Sequence, residues 1–340
     1  MTRKKSSSTI RDVARLAGVS VATVSRYINQ TATIADETGR RVQEAMDTLT
    51  FTPHPIARNL ATQRTNTIGL LLSDIGGQFY TPLLRGVEAV SSEAGYDLLI
   101  HSTRTSQAGK TLRRALNEYN TDGLLIFIDA LDNTELARLN QIGFPVVMMH
   151  QSPPDQLTIP VVSIENRSGA QQAVEHLIEV HGRKRIAFLR GPAGNEDSEE
   201  REKGYRQALK KHDLPFDPAL VTRGEFETAQ AYMAIKQLIA QGASFDAMFT
   251  GDDDSAIGVI QALQEAGRKI PEDVAIAGFD DSLFARILTP PLTTVRAPIE
   301  HVGREAARQL VRLIRGEQAD MHTVLPTEMI IRQSCGCNSK

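Results

Sequence analysis

Polar residues stand just past a series of short apolar runs in this chain. Asp74 follows "IGLLLS", with Phe79 shortly beyond, and His150 ends "PVVMMH". Glu165 and Asn166 close "VVSIEN", and Asn195, Asp197 and Arg201 come after "RIAFLRG". Asp252 and Asp253 follow "AMFTG", and "VAIAGF" ends in Phe279 and runs into Asp280 and Asp281. Carboxylates and a guanidinium can bracket vicinal hydroxyls, because each hydroxyl both donates and accepts. An aromatic ring suits the apolar face of a pyranose. Asp and Asn also favour helix N-caps, and Asp253 and Asp281 suit that role best.

The elements that position these residues alternate from Thr67 onward. Strands are expected at "IGLLLS", "YDLLIHS", "GLLIFI", "PVVMMH" and "VVSIEN". Helices are expected at "YTPLLRGVEAVSSEAG", around Lys110 to Tyr119 and near Thr134 to Gln141. A second run follows: helix 167–180, "RIAFLRG", helices 199–212 and 228–240, "AMFTG", helix 254–266 and "VAIAGF". Such βα units build doubly wound parallel sheets. Two of them in series imply a cleft, and ligands bind outside the carboxyl ends of the strands.

Ahead of this body, "TIRDVARLAGVSVATVSRYIN" holds two short helical patterns around a glycine. Thr9 is a good N-cap with Asp12 three residues on. Ile10, Val13, Ala14 and Ala17 share a face, and Gly18 suits a left-handed end. Ser20 caps the next helix, whose Val24 and Ile28 face inward. A third helix runs roughly from Asp36 to Leu49. Two helices across a glycine turn make a helix-turn-helix, whose second helix can enter the major groove. Val21 and Ala22 point outward, and Thr23, Ser25 and Arg26 offer groups for phosphates or bases. A three-helix module that binds protein is the alternative. With Thr9, Ser20 and Asn29 these residues are the DNA-binding candidates of the head.

These stretches, with "ETGRRVQEAMDTLTFTPHPIARNLATQRTNTIGLLLSDI", resemble the lactose-repressor (LacI/GalR) family over almost all of residues 9–335. The resemblance implies that Val21 and Ala22 set operator preference and that Arg26 contacts base edges. It also implies a hinge helix in "TPHPIARNLATQ", with Arg58 and Leu60 as DNA-binding candidates. Leu60 would be an apolar wedge at the central base step, of a kind that costs a few kcal/mol in unstacking. His54 and Ala35 replace the family's usual caps.

In the body, the resemblance is to an effector core like that of periplasmic sugar-binding proteins. Asp74, Phe79, His150, Asn195, Asp197, Arg201, Asp252, Phe279 and Asp280 are then the effector-binding candidates. Arg201, in "REKGY", stands where the family's arginine contacts the effector. Asp252 replaces a common asparagine, as does Gly77. The acidic candidates disfavour a strongly anionic ligand, so a neutral sugar is expected. The implied boundaries are a DNA-binding domain at 1–52 and a hinge and linker at 53–66. One subdomain takes 67–165 and 296–325, the other 166–295 and 326–340. A homodimer on an inverted-repeat operator follows, with no tetramerising heptads in view.

Composition is compatible with this. Residues 1–66 carry ten Lys/Arg against five Asp/Glu, and the rest carries 28 against 36, which suits a head that alone meets a polyanion. No apolar run reaches the roughly 18 residues of a membrane span. The basic, serine-rich start lacks an apolar signal core, so a cytoplasmic protein without a membrane partner is expected. Cys335 and Cys337, separated only by Gly336, read as reduced thiols, since Cys-X-Cys alone makes a poor metal site. No cofactor, metal or catalytic residue is expected. No G-x-G-x-x-G follows the first strand, and neither a Walker run nor a G-x-S-x-G elbow is present. The alternatives are a regulator co-repressed by a nucleobase or a phosphorylated sugar and, more distantly, a sugar-binding protein without a regulatory role.

Overall fold

The structure is a computed structural model that describes residues 8–29, 32–51, 64–73, 75–76, 78–103, 116, 119–128 and 130–338. The chain divides into two units, residues 1–65 and 66–340. The expected hinge residues His54, Pro55, Arg58 and Leu60 lie outside the described residues. So do Asp74, Gly77 and most of the helix expected around Lys110 to Tyr119.

The first unit holds α1 (Ile10–Ala17), α2 (Val21–Asn29) and α3 (Asp36–Thr48). Thr9 and Asp12 cap α1 reciprocally, side chain to backbone in both directions. Gly18, at φ 65, ends it in the left-handed region, which favours glycine. The Arg41 guanidinium donates to the carbonyls of Ala17 and Gly18, tying α3 to the turn. Val13, Ala14, Ala17, Val24, Val42 and Ala45 form the small core, with Ile28 partly buried against it. Ala35 precedes α3 without offering a side-chain cap.

The second unit contains two six-stranded sheets. The first comprises β1 (Thr67–Leu72), β2 (Asp97–Ser102), β3 (Gly123–Phe127), β4 (Val146–Met149), β5 (Val161–Ile164) and β11 (His322–Leu325). Its order is β11-β5-β4-β3-β1-β2, all parallel. The second comprises β6 (Ile186–Arg190), β7 (Val221–Arg223), β8 (Ala247–Thr250), β9 (Ala275–Asp280), β10 (Thr293–Arg296) and β12 (Glu328–Ile330). Its order is β12-β10-β9-β8-β6-β7, with only β12 antiparallel.

Among the described residues, the helices of this unit are α4 (Tyr80–Glu93), α5 (Asn133–Gln141), α6 (Asn166–Glu179), α7 (Glu196–Lys211), α8 (Thr228–Ala240), α9 (Asp253–Glu265), α10 (Leu283–Ile287) and α11 (Ile299–Ile314). Both faces of each sheet are covered, so its strands read as continuous apolar runs. Leu70 and Phe127 share a core with Leu83 of α4 and Leu310 of α11, while Leu124 and Ile126 turn to Leu136 and Leu139 of α5. In the second sheet, Phe188 and Phe249 meet α6 and α7, and Leu189 and Met248 meet α8 and α9. The chain passes between the sheets after β5, after β10 and after β11.

Three details depart from expectation. Helix α7 starts at Glu196 rather than 199, because the Asn195 side chain accepts the Ser198 N–H at 2.9 Å. Strand β7 and helix α10 were not foreseen, being three and five residues long, too short for a periodic signal.

Candidate functional site

The carboxyl ends of both sheets face a cleft of about 1240 Å³ in the second unit. Arg201 sits in it, on the first turns of α7, with its side chain only 3% exposed. Its Nε donates to Asn166 Oδ1 at 2.9 Å, and Nη1 donates to the Gly251 carbonyl. Nη2 lies 3.5 Å from Asp280 Oδ1 and 3.9 Å from Asp197 Oδ2. The guanidinium rests 3.8 Å above the Phe279 ring centroid, an arrangement that a planar cation favours.

The carboxylates around it differ in state. Burial pushes Asp197 up, but the His150 ring at 2.7 Å, Arg201 and Asn166 outweigh it and hold the group below the usual range. Burial pushes Asp252 up to about 6 despite the N–H it accepts from Ser255. Asp280 lies well above the ordinary value, through burial that Arg201 offsets only in part. Its Oδ1 is buried without a hydrogen bond, and Asp280 and Asp281 sit at φ 109 and 56, in the left-handed region. Backbone held there costs on the order of 1–3 kcal/mol and is concentrated at functional sites.

Of the expected contacts, Phe79, Asn195, Asp197, Arg201, Asp252 and Asp280 line the cleft. Two do not. Phe279 is fully buried beneath Arg201, so its face is taken by the guanidinium and is closed to a ligand. His150 is 1% exposed, bonded to Asp197 and edged by Phe79 and Phe127, behind the cleft wall. It links the two sheets' ends rather than the solvent. Ser152 makes a similar link, its N–H and hydroxyl donating to Glu196 at 2.7 and 2.8 Å.

The two expected caps have other tasks. Asp252, not Asp253, caps α9. Asp253 accepts from the Ser282 N–H and the Thr294 hydroxyl, at 2.7 and 2.6 Å. Asp281 gathers Arg286, Arg296 and Arg332. The sequence reading missed Phe226, Phe127, Tyr80 and Arg296, which line the same cleft. Phe226 follows the unforeseen β7, and recognising "VTR" as a strand would have placed it at a strand's carboxyl end.

In the head, Val21, Ala22 and Arg26 are exposed on α2, while Thr23, Ser25 and Asn29 are half-buried. Ser20 accepts the Thr23 N–H at 3.0 Å, and Asn29 donates to Ser25 at 3.3 Å. Part of the expected DNA-binding set thus also braces α2. Thr9 likewise serves the α1 cap.

Residues 9–54 match the bacterial regulatory proteins of the lacI family, and residues 174–335 match a periplasmic binding protein-like domain. The HTH-type transcriptional regulator RegA of Clostridium saccharobutylicum is 33% identical over 330 residues, spanning 96% of this chain and 99% of RegA. The HTH-type transcriptional repressor PurR of Aliivibrio fischeri is 32% identical over 332 residues, 96% of this chain and 98% of PurR. Among solved structures, a CelR–cellobiose complex is similar at 32% identity and a TM-score of 0.75, covering 96% and 99% of the two chains. The lac repressor dimer bound to operator and the anti-inducer ONPF shares the fold, with a TM-score of 0.82 at 24% identity and coverage of 96% and 99%. A reading head, a ligand cleft and full-length kinship with regulators agree: this chain belongs to the lacI family of bacterial regulatory proteins and is a DNA-binding transcriptional regulator, not an enzyme.

Proposed function

We propose that this regulator is a cytoplasmic repressor that holds an inverted-repeat operator as a homodimer and lets go when a neutral sugar fills the cleft. The observation that carries this is the polar floor around Arg201. Asp280 presents a buried oxygen without a hydrogen bond, and Asp252 and Asp280 are both pushed toward the protonated form. A carboxyl that can donate and accept matches a sugar hydroxyl. Three of the cations that line the cleft are already paired: Arg286 and Arg296 with Asp281, Arg304 with Glu300. That disfavours a phosphorylated sugar. The volume exceeds the roughly 300–1,000 Å³ usual for a small-molecule pocket, enough for a disaccharide such as the cellobiose bound by CelR.

On the DNA side, Val21, Ala22 and Arg26 read base edges, with Thr9, Ser20, Thr23, Ser25 and Asn29 fixing the helix on the backbone. Leu60 enters the minor groove beside Arg58. Sugar closes the cleft about Asp197, Arg201, Asp252 and Asp280, with Asn195 and Phe79 at its walls, and the hinge helices lose their pairing.

A thermal-shift panel of mono- and disaccharides, followed by gel shifts on DNA upstream of the protein's own gene, tests both halves. A sugar that raises the melting temperature must also release the DNA. Phe79, Tyr80, Phe127 and Phe226 line the cleft with rings and favour a second reading, a nucleobase co-repressor. Purines in the same panel would then tighten DNA binding.

A further inference from the structure

Far along α6 from the cleft, four side chains converge that neither the DNA nor the effector reading uses. His176 lies in the last turn of α6, and His181 follows that helix just before Gly182. Cys335 and Cys337 lie in the turn after β12. Their ligating atoms all fall within 4.8 Å of one another. His176 Nε2 is 3.4 Å from Cys335 Sγ and 3.7 Å from Cys337 Sγ, and Cys337 Sγ is 3.3 Å from His181 Nε2.

We propose that His176, His181, Cys335 and Cys337 form a tetrahedral site for a zinc-class divalent cation, which staples the C-terminal segment to the end of α6. Metal–nitrogen and metal–sulfur bonds of about 2.0–2.3 Å give tetrahedral edges of about 3.3–3.8 Å, and the three distances fall in that range. Two imidazoles and two sulfurs are a donor set that selects zinc over calcium or magnesium.

The backbone is built for it. Gly336, at φ 110, lies between the two sulfurs, and an added Cβ would lie 3.1 Å from His181 Nδ1. Cys335 is anchored by its neighbour Ser334, whose hydroxyl accepts the Thr293 N–H and donates to the Ile276 carbonyl. The Thr293 hydroxyl donates to Cys335 Sγ at 3.1 Å, an outer contact of the kind that orients and charges a ligand. A Cys-X-Cys pair is too close in sequence to suggest this alone; the fold supplies the two histidines more than 150 residues away.

The full-length protein, reduced and stripped by a chelator, is titrated with cobalt. One cobalt per chain, with the visible bands of tetrahedral thiolate-bound cobalt and displacement by zinc, supports the site. Zinc alone then raises the melting temperature by mass action. Cys337→Ser and His181→Gln each remove the bands and the zinc-induced shift while DNA binding persists. Thr293→Val weakens cobalt binding by about tenfold, the low end for a lost outer contact. Wild-type protein that gives no such bands overturns the proposal, as do bands that survive both single substitutions. A Cys335–Cys337 disulfide in the protein isolated under reducing conditions overturns it as well.

Discussion

Asp253 shows how one carboxyl can tune stability with pH. Burial among other carboxylates pushes it up to about 8, against the hydrogen bonds from Thr294 and Ser282. The native state therefore holds a proton that the unfolded chain has lost above about pH 4. The stability this contributes is fully present below the unfolded value and is lost as pH rises through the folded one. Unfolding midpoints should fall between about pH 5 and 8. Asp253→Asn, whose oxygen can accept from Ser282 and whose amide can donate to Thr294, should flatten that fall. Asp253→Ala, which leaves both donors unmet, should also flatten the fall and should cost about 1–3 kcal/mol at about pH 5, where the wild-type carboxyl is protonated. Urea titrations across the range check all three. At Arg201, the Lys variant keeps the charge but loses the planar fork on Asn166 and Gly251. The expected outcome is effector affinity about 10–100-fold weaker, on the order of 1.4–2.8 kcal/mol, with operator binding unchanged in effector-free gel shifts. The polar types at strand ends were legible in the sequence because strand ends are legible. What Phe279 and His150 do was not, since stacking under Arg201 and pairing with Asp197 depend on which strands become neighbours.

Helix pairs set the distances on which those residues depend. An added Cβ on Gly204 would lie 2.3 Å from the Arg167 carbonyl oxygen, so α7 and α6 can approach only because that residue is glycine. Arg201 lies one turn earlier on α7 and reaches Asn166 on α6. Gly204→Ala should therefore cost about 1–3 kcal/mol of stability by forcing the helices apart, and it should weaken effector binding more than operator binding. Melting curves and ligand titrations on the one variant separate these effects. In the head, α3 starts from Ala35 with no side-chain cap, where Ala35→Ser should add about 0.5–2 kcal/mol, read as a higher denaturation midpoint of the head. Long helices and buried strands were readable from period and apolar runs. The early start of α7 turned on one asparagine cap, and β7 and α10 gave too few residues to show a period. Cys335 and Cys337 carried a signal too weak alone, because their partners come from the far end of α6.

Over the whole molecule, charge and coupling make the last prediction. Residues 1–66 hold ten Lys/Arg against five Asp/Glu, while the rest holds 28 against 36. A basic head that releases counterions from phosphates loses DNA affinity with a slope of about −0.9 in log–log salt dependence per phosphate contacted. An acidic cleft binding an uncharged sugar releases none. Raising salt should thus weaken operator binding steeply and leave sugar binding by the free protein almost unchanged. Linkage then fixes a third quantity. If sugar lowers operator affinity by a given factor, operator must lower sugar affinity by the same factor. Sugar titrations with and without a saturating operator duplex, at one salt concentration, measure it directly. A factor different from one, the same in both directions, shows that head and cleft are coupled. If the two affinities prove independent, the protein can still bind DNA and sugar, but its sugar cannot be what releases it.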